Sequence, residues 1–363
     1  MNIFVLMTKT IFFIVPYPID EAPSQRFRFE QYLTILNEQG YEIEIHPFLD
    51  LNTWKSLYET GKVFKKIKGI INAFYKRLKL LFKLKRADYI FIHREASHIG
   101  PPIFEWIIAK VLRRRYIYDF DDAIWLPNYS EQNAKFHRLK AYWKIEYCMK
   151  WAYKISAGNQ YLASYASQFN KNIKIIPTTI DTFNYHTINS DHNTELVTIG
   201  WTGTHTTMRY LIPLVPVLQN LEQELRFRFV VISNEAPTFE LNCLEYIKWS
   251  KQTEIADLSQ FHIGVMPLEH DIWSEGKCGF KGLQYMSLGI ASVMSPVGVN
   301  TSIVHHGKNG FLATTPDEWY EVLKNLIIDR QLREKIGFEG KATVETTYSV
   351  RSIQSQYLEL FNE

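Results

Sequence analysis

The stretch from Gly264 to Gly289, GVMPLEHDIWSEGKCGFKGLQYMSLG, concentrates residues suited to holding an anion. An apolar strand is expected to end at Pro267. A polar loop with Gly276 and Gly279 follows, and a helix is expected to begin at Phe280. Free N–H groups at a helix start, beside glycines that permit close approach, form an anion site. Lys277 and Lys281 lie four apart around that start, and either could neutralise a phosphate. A helix that merely packs on its sheet, with its lysines solvated, accounts for the same residues. The turn Gly200-Trp-Thr-Gly-Thr-His-Thr-Thr207 repeats the logic: strand, glycine, hydroxyl-rich helix start. It has neither the P-loop spacing nor the dinucleotide Gly-x-Gly-x-x-Gly. Two anion-friendly turns in one lobe suit a diphosphate.

The acid-rich segment is YIYDFDDAIW, Tyr116 to Trp125. It follows a predicted strand, so Asp119, Asp121 and Asp122 are expected at the strand's carboxyl end. Carboxylates that cap the following segment are the alternative. The turn from Asp20 to Arg28 contains no glycine. Arg26 or Arg28 could meet an anionic acceptor there, or lie on a solvated face. His93-Arg94-Glu95, at another strand end, offers the same choice. His137 and His192 read as surface residues.

These segments need a scaffold, and the chain length points to one of two domains: 363 residues, at ~150 per domain. Hydrophobic residues are 46% and charged residues 22%, which excludes a disordered or fibrous chain. The apolar opening, Ile3 to Leu6, is too short for a signal-peptide core, no run approaches a membrane span, and Met7 is a candidate start. Cys148, Cys243 and Cys278 have neither disulfide nor zinc spacing, so a cytoplasmic setting is expected.

Strands are predicted at 11–15, 41–46, 89–93, 116–119, 154–157 and 173–176. A second series falls at 196–200, 228–232, 262–266 and 292–295. Helices are predicted to start near Ser24, Ile103, Glu131, Tyr161, Thr206, Phe280, Pro316 and Arg330. This alternation is the signature of α/β units around parallel sheets. A turn-rich connector, 177–190, separates the halves. Ser349 can cap a last helix with Val350, Ile353, Tyr357 and Leu360 on one face. The expected domains are 1–180, 195–348 and a terminal helix at 349–363. Ligands in such sheets sit beyond the carboxyl ends of the strands.

The net charge of +3 hides a split. Residues 1–176 carry 27 Lys and Arg against 16 Asp and Glu, or +11; the rest carries 14 against 22, or −8. The run 62–86 has ten cations and no acid, interleaved with apolar residues at helical spacing. An amphipathic helix on an anionic membrane surface is the preferred reading. Packing on its own sheet and a nucleic-acid patch are the alternatives, the last without any nucleic-acid fold signature.

Taken in order, these motifs resemble retaining GT-B-fold glycosyltransferases, family 4 in particular. IPTTIDTF at 176–183 is similar to that family's IPNGVD…F linker. The match continues through 276–286 and GIASVMSPVG at 289–298, and closes with VHHGKNGFL at 304–312. It covers nearly the whole chain and is strongest over 264–312. The resemblance implies an α/β GT-B fold: two Rossmann-like lobes with parallel sheets facing a cleft, the first serving the acceptor and the second the donor. It implies a nucleotide-diphosphate sugar as co-substrate, no cofactor, no metal, and a glycan or lipid-linked acceptor. Gly203, Thr204, Arg209, Glu275, Gly279, Phe280 and Gln284 would bind the donor. Lys277 and Lys281 would stabilise the departing diphosphate, and Asp121 would orient the acceptor or steady the oxocarbenium-like sugar. Arg26, Arg28, His93, Arg94 and Asp122 would lie on the acceptor side.

Two departures stand out. The family's E-x7-E pair falls on Gly276 and Gln284, with Glu275 one residue from the first position. Basic residues usual in the first turn of the second lobe are replaced by Trp201 and Thr202, with Arg209 nearest. Asp119-x-Asp121 also spells the D-x-D of metal-dependent GT-A enzymes, a single-domain fold that the two-lobed pattern disfavours. The expected activity is sugar transfer with retention, in cell-surface polysaccharide synthesis and peripheral to the inner membrane face. A non-catalytic sugar-nucleotide-binding protein and a nucleotide-sugar epimerase are the alternatives.

Overall fold

The computed structural model describes residues 8–57, 61–127 and 137–362, and divides into two compact units. The expected features at Ile3 to Leu6, Met7 and Glu131 lie outside the described residues. Unit 1 is Met1–Pro177 with Gln354–Glu363, and unit 2 is Thr178–Ile353.

Unit 1 has six parallel strands: β1 (Lys9–Val15), β2 (Tyr41–Pro47), β3 (Tyr89–His93), β4 (Ile117–Phe120), β5 (Lys154–Ala157) and β6 (Ile173–Ile175). Their order is β2-β1-β3-β4-β5-β6. The last five residues of β1 are all buried, as a strand covered by helices on both faces requires. The helices are α1 (Pro23–Arg26), α2 (Leu33–Glu38), α3 (Leu51–Leu57), α4 (Val63–Lys83), α5 (Ile103–Trp106), α6 (Lys144–Trp151) and α7 (Gln160–Ala166). A π-helical turn extends α5 through Val111. From β2 onward every crossover advances in the same direction along the sheet. Right-handed connections therefore place α4 to α7 on one face, with α4 against α5 and α5 against α6.

Unit 2 repeats the plan with β7 (Val197–Gly203), β8 (Phe227–Ser233), β9 (Leu244–Lys248), β10 (Ile263–Met266), β11 (Ala291–Met294) and β12 (Phe311–Leu312). The parallel order is β12-β11-β10-β7-β8-β9. Its helices are α8 (Val215–Glu224), α9 (Glu254–Leu258), α10 (Ile272–Glu275), α11 (Phe280–Ser287), α12 (Asn300–Ile303), α13 (Pro316–Ile328) and α14 (Arg330–Thr343). The last helix, α15 (Val350–Leu358), begins in unit 2 and ends in unit 1. The Ser352 N–H donates to Ser349 Oγ at 3.0 Å, and Val350, Ile353, Tyr357 and Leu360 are buried.

The structure corrects several local expectations. β7 runs on to Gly203, so Trp201 and Thr202 are buried strand residues and the turn begins at Thr204. A 3-10 helix, His205–Leu214, precedes α8; it contains Pro213, which has no N–H for an α-helical ladder. β9 and β12 were not anticipated: β9 is an edge strand with little buried surface, and β12 is two residues long. Thr178, Thr179 and Ile180 of the connector are buried. His192 is buried rather than at the surface, its Nε2 2.9 Å from the Gly289 carbonyl.

Candidate functional site

In unit 2 the strand order reverses between β7 and β10: later strands go to one side of β7 and then to the other. Open α/β sheets bind ligands beyond the carboxyl ends at such a point. Two of the predicted segments are the loops that leave these strands, Thr204 after β7 and 267–279 after β10.

The loop after β10 is held by two caps. Asp271 accepts the Ser274 N–H at 2.6 Å, starting α10. Gly279, at φ +68°, turns the chain into α11, and a Cβ there would lie 2.3 Å from Ile303. Gly298, at φ +56°, brings the turn after β11 against the Glu275 carbonyl, 2.8 Å from where a Cβ would stand. α11 is tied to β7 by the Thr202 N–H, which donates to the Tyr285 hydroxyl at 3.0 Å. Burial raises the Tyr285 pKa, so the hydroxyl stays neutral.

This frame assembles three cations. The Lys281 ammonium lies 5.8 Å from the Trp201 ring centre, beside the end of β7. The Lys277 ammonium and the Arg209 guanidinium share the Tyr210 ring, at 5.8 and 5.0 Å from its centre. Arg209 also donates to the Tyr210 hydroxyl at 3.1 Å, the main reason that its pKa is raised. Thr204 and Arg209 are exposed, and Lys277, Phe280 and Lys281 are half-buried. Tyr210 escaped the sequence reading because its partner Lys277 is distant in sequence; a tyrosine in a helix otherwise reads as core. Glu275 faces His270, at 3.2 Å.

Gln284 is different. It is 1% exposed on the inner side of α11, its Nε2 3.4 Å from Nε2 of the equally buried His186. In this structure its side chain meets His186 and is not exposed.

In unit 1, Arg94 follows β3 with φ +58°, a left-handed backbone that costs a non-glycine residue ~1–3 kcal/mol. Its N–H donates to the Asp119 carbonyl at 2.7 Å, and the Tyr118 hydroxyl donates to its own carbonyl at 2.5 Å. The guanidinium so placed donates to Asp121 at 2.7 Å and to Asp122 at 2.5 Å. Burial works against the Arg94 charge, and the two carboxylates more than offset it. Burial pushes the Asp121 carboxyl up, against the pull of Arg94.

Behind this triad sits a second, fully buried network. Arg28 donates to Asp119 at 2.5 Å, His93 Nδ1 lies 2.8 Å from the same carboxylate, and Ser156 donates to it at 2.6 Å. Burial opposes the Asp119 charge, yet Arg28 and His93 hold its carboxyl well below the usual range. Arg28 and His93 are 2% and 0% exposed, and Arg26 is buried over the Phe27 ring. Arg28 and His93 thus turn polar atoms to Asp119. Arg94, Asp121 and Asp122 keep some exposure. Asp119 and Asp121 serve different partners rather than one centre. Among the described residues no group of three or more His, Cys, Asp or Glu is arranged to hold a metal ion.

Residues 193–329 match the family Glycosyl transferases group 1. No curated protein matches the sequence. Solved structures match over nearly the full length. A glycosyltransferase of Rickettsia africae aligns over 98% of both chains at 12% identity, with a TM-score of 0.68. HepE of Anabaena, solved with UDP and glucose, aligns over 97% of this chain and 98% of its own, at 14% identity and a TM-score of 0.66. Sucrose-phosphate synthase of Thermosynechococcus elongatus gives 97%, 98%, 10% and 0.66. The two parallel six-stranded sheets are those of the GT-B fold, and residues 193–329 are similar to the group 1 glycosyl transferases.

Proposed function

We propose that the protein transfers a sugar from a nucleotide-diphosphate sugar to an acceptor hydroxyl, with retention at the anomeric carbon. The observation that carries the reading is the grouping of Lys281, Lys277 and Arg209 at the strand-order reversal of the unit whose residues 193–329 are similar to the group 1 glycosyl transferases. Departure of the sugar leaves negative charge on the diphosphate. Cations and backbone N–H groups aimed at that charge provide the electrostatic stabilisation, usually the largest contribution to such a step. Lys277 and Lys281 are assigned this role, with Gly203, Gly279 and Phe280 offering backbone and Thr204 its hydroxyl at the same turns. HepE, the Anabaena protein of the same fold, was solved with UDP-glucose, which supports a uridine or related donor here.

Unit 1 is assigned the acceptor. Asp121, held by Arg94, orients the acceptor hydroxyl, with Asp122 beside it. No metal takes part in this reading. The acceptor is a glycan, lipid-linked if the protein sits on the inner face of an anionic membrane through 62–86, as polysaccharide assembly at a cell surface requires.

A thermal-shift screen of nucleoside diphosphates and their sugars tests the donor half. A true ligand at ~100 times its Kd adds ~2.7 kcal/mol to stability. Binding with no turnover of any bound donor would favour a sugar-nucleotide-binding protein.

A further inference from the structure

Helix α4 turns one face to the sheet and leaves a second apolar face outside. Ala73, Arg77, Leu80 and, just beyond the helix, Leu84 are buried, and the Arg77 guanidinium donates to the carbonyls of Val15, His46 and Ala96. At 100° per residue, the opposite side carries Phe64, Ile67, Ile71, Tyr75, Leu78 and Phe82, all exposed, with Phe64 at 89% and Phe82 at 80%. Lys65, Lys68, Lys76, Lys79 and Lys83 flank this stripe along one edge.

The neighbouring helices continue it. α5 and its extension expose Ile103, Trp106 and Val111. On α6, Trp143 at its start, Tyr147 and Trp151 form a ladder with ring centres 5.6 and 5.3 Å apart; the first two are exposed. The only acids on the three helices are Glu105, which is buried, and Glu146, which accepts from Tyr165. Lys110, Arg113, Arg115 and Lys150 add exposed positive charge. Exposed apolar side chains on three successive neighbouring helices mark an interaction site. Indole and phenol rings among cations that outnumber the acids, of which Asp50 pairs with Lys76 at 3.1 Å, match the boundary of an anionic bilayer, where such rings settle at headgroup depth.

We propose that α4, α5 and α6 form one surface that inserts into the interface of an anionic bilayer, its apolar stripe and aromatic rings entering the acyl boundary. This deepens the membrane-seated reading above and rests on that part of it. Among the described residues no helix is long and apolar enough to cross a membrane, so the contact is in-plane. Binding should therefore outlast the screening of its charges.

The test is co-sedimentation with phosphatidylcholine vesicles carrying phosphatidylglycerol, at low salt and at ~1 M salt, where the screening length is ~3 Å. The wild type should stay bound in part at high salt. Phe64→Gln/Ile71→Gln/Phe82→Gln should lower binding about tenfold or more at either salt, since each loses apolar burial. Brominated lipid should quench tryptophan fluorescence in the wild type, and much less in Trp106→Gln/Trp143→Gln. Complete release by salt would reduce the surface to electrostatic adsorption and overturn insertion, as would no binding. A concentration-dependent dimer abolished by the triple substitution would make the face an interface between copies. Nucleoside-diphosphate thermal shifts, measured without vesicles, should be unchanged in every variant, so the donor reading stands or falls separately.

Discussion

Arg94 Nε donates to Asp121 Oδ1 at 2.7 Å, from a residue whose own backbone is left-handed. The strain is held by β3, β4 and the Tyr118 hydroxyl, so the fold spends stability to aim one guanidinium at two carboxylates. Arg94→Ala leaves Asp121 and Asp122 without their counter-charge and should destabilise by ~3–5 kcal/mol. Arg94→Ala/Asp121→Asn should recover part of that loss. Urea unfolding at neutral pH measures both, and an additive double variant would refute the coupling.

Lys281→Ala should remove transfer while leaving the melting curve intact, because the ammonium is half-buried against Trp201 and not part of the core. Loss of one contact to developing charge costs ~2.7–4 kcal/mol, or ~100- to 1000-fold in rate. A rate within about threefold of wild type would remove Lys281 from the site.

Donor turnover should persist in a chelator, since Asp119 is committed to Arg28 and His93, and Asp121 to Arg94. Loss in EDTA with recovery in manganese would show that a metal is required after all.

Tyr357→Phe should be close to neutral, whereas Tyr357→Ala should cost ~3–5 kcal/mol. The ring stacks on Tyr32 with centres 3.9 Å apart, but the buried hydroxyl has no hydrogen-bond partner. The Tyr357 contact is therefore apolar, while Lys154 holds the end of the tail through the Glu359, Leu360 and Asn362 carbonyls. Equal losses in the two variants would contradict this.

Unit 2 should lose stability as pH falls from about 6.5 to about 4. Burial lowers the His262 pKa to about 4, while an unfolded histidine titrates near 6.5. The unfolded state then binds more protons in that window, so stability rises with pH across it. The neutral ring accepts the Thr198 N–H at Nδ1, 2.8 Å, and its Nε2–H donates to the Asp191 carbonyl at 3.0 Å. His262→Asn should flatten the slope in urea melts taken across this range; an unchanged slope would assign it to other groups.

Most strands were legible because a parallel sheet buries both faces, and apolar runs such as 11–15 then have few alternatives. β9 and β12 were not, since an edge strand and a two-residue strand carry little apolar signal. α4 was expected as an amphipathic helix, but periodicity could not say that it has two apolar faces, one packed and one outside. That division depends on what the sheet covers.

The candidate site divides in the same way. Sequence alone fixed the chemical types: glycines and lysines at 276–281, hydroxyls at 204–207, and carboxylates at 119–122. It also carried the family resemblance, through motifs whose order survives where identity is low. Tertiary structure alone decided which of these meet. Strand order set β7 beside β10, and so brought Lys281 to Trp201 and Lys277 to the Tyr210 ring that Arg209 shares. It turned Arg28 and His93 inward to Asp119, and placed Gln284 against His186. Periodicity reports which residues prefer burial; the partner that a buried charge finds lies tens of residues away, and only the closed sheet brings it within a hydrogen bond.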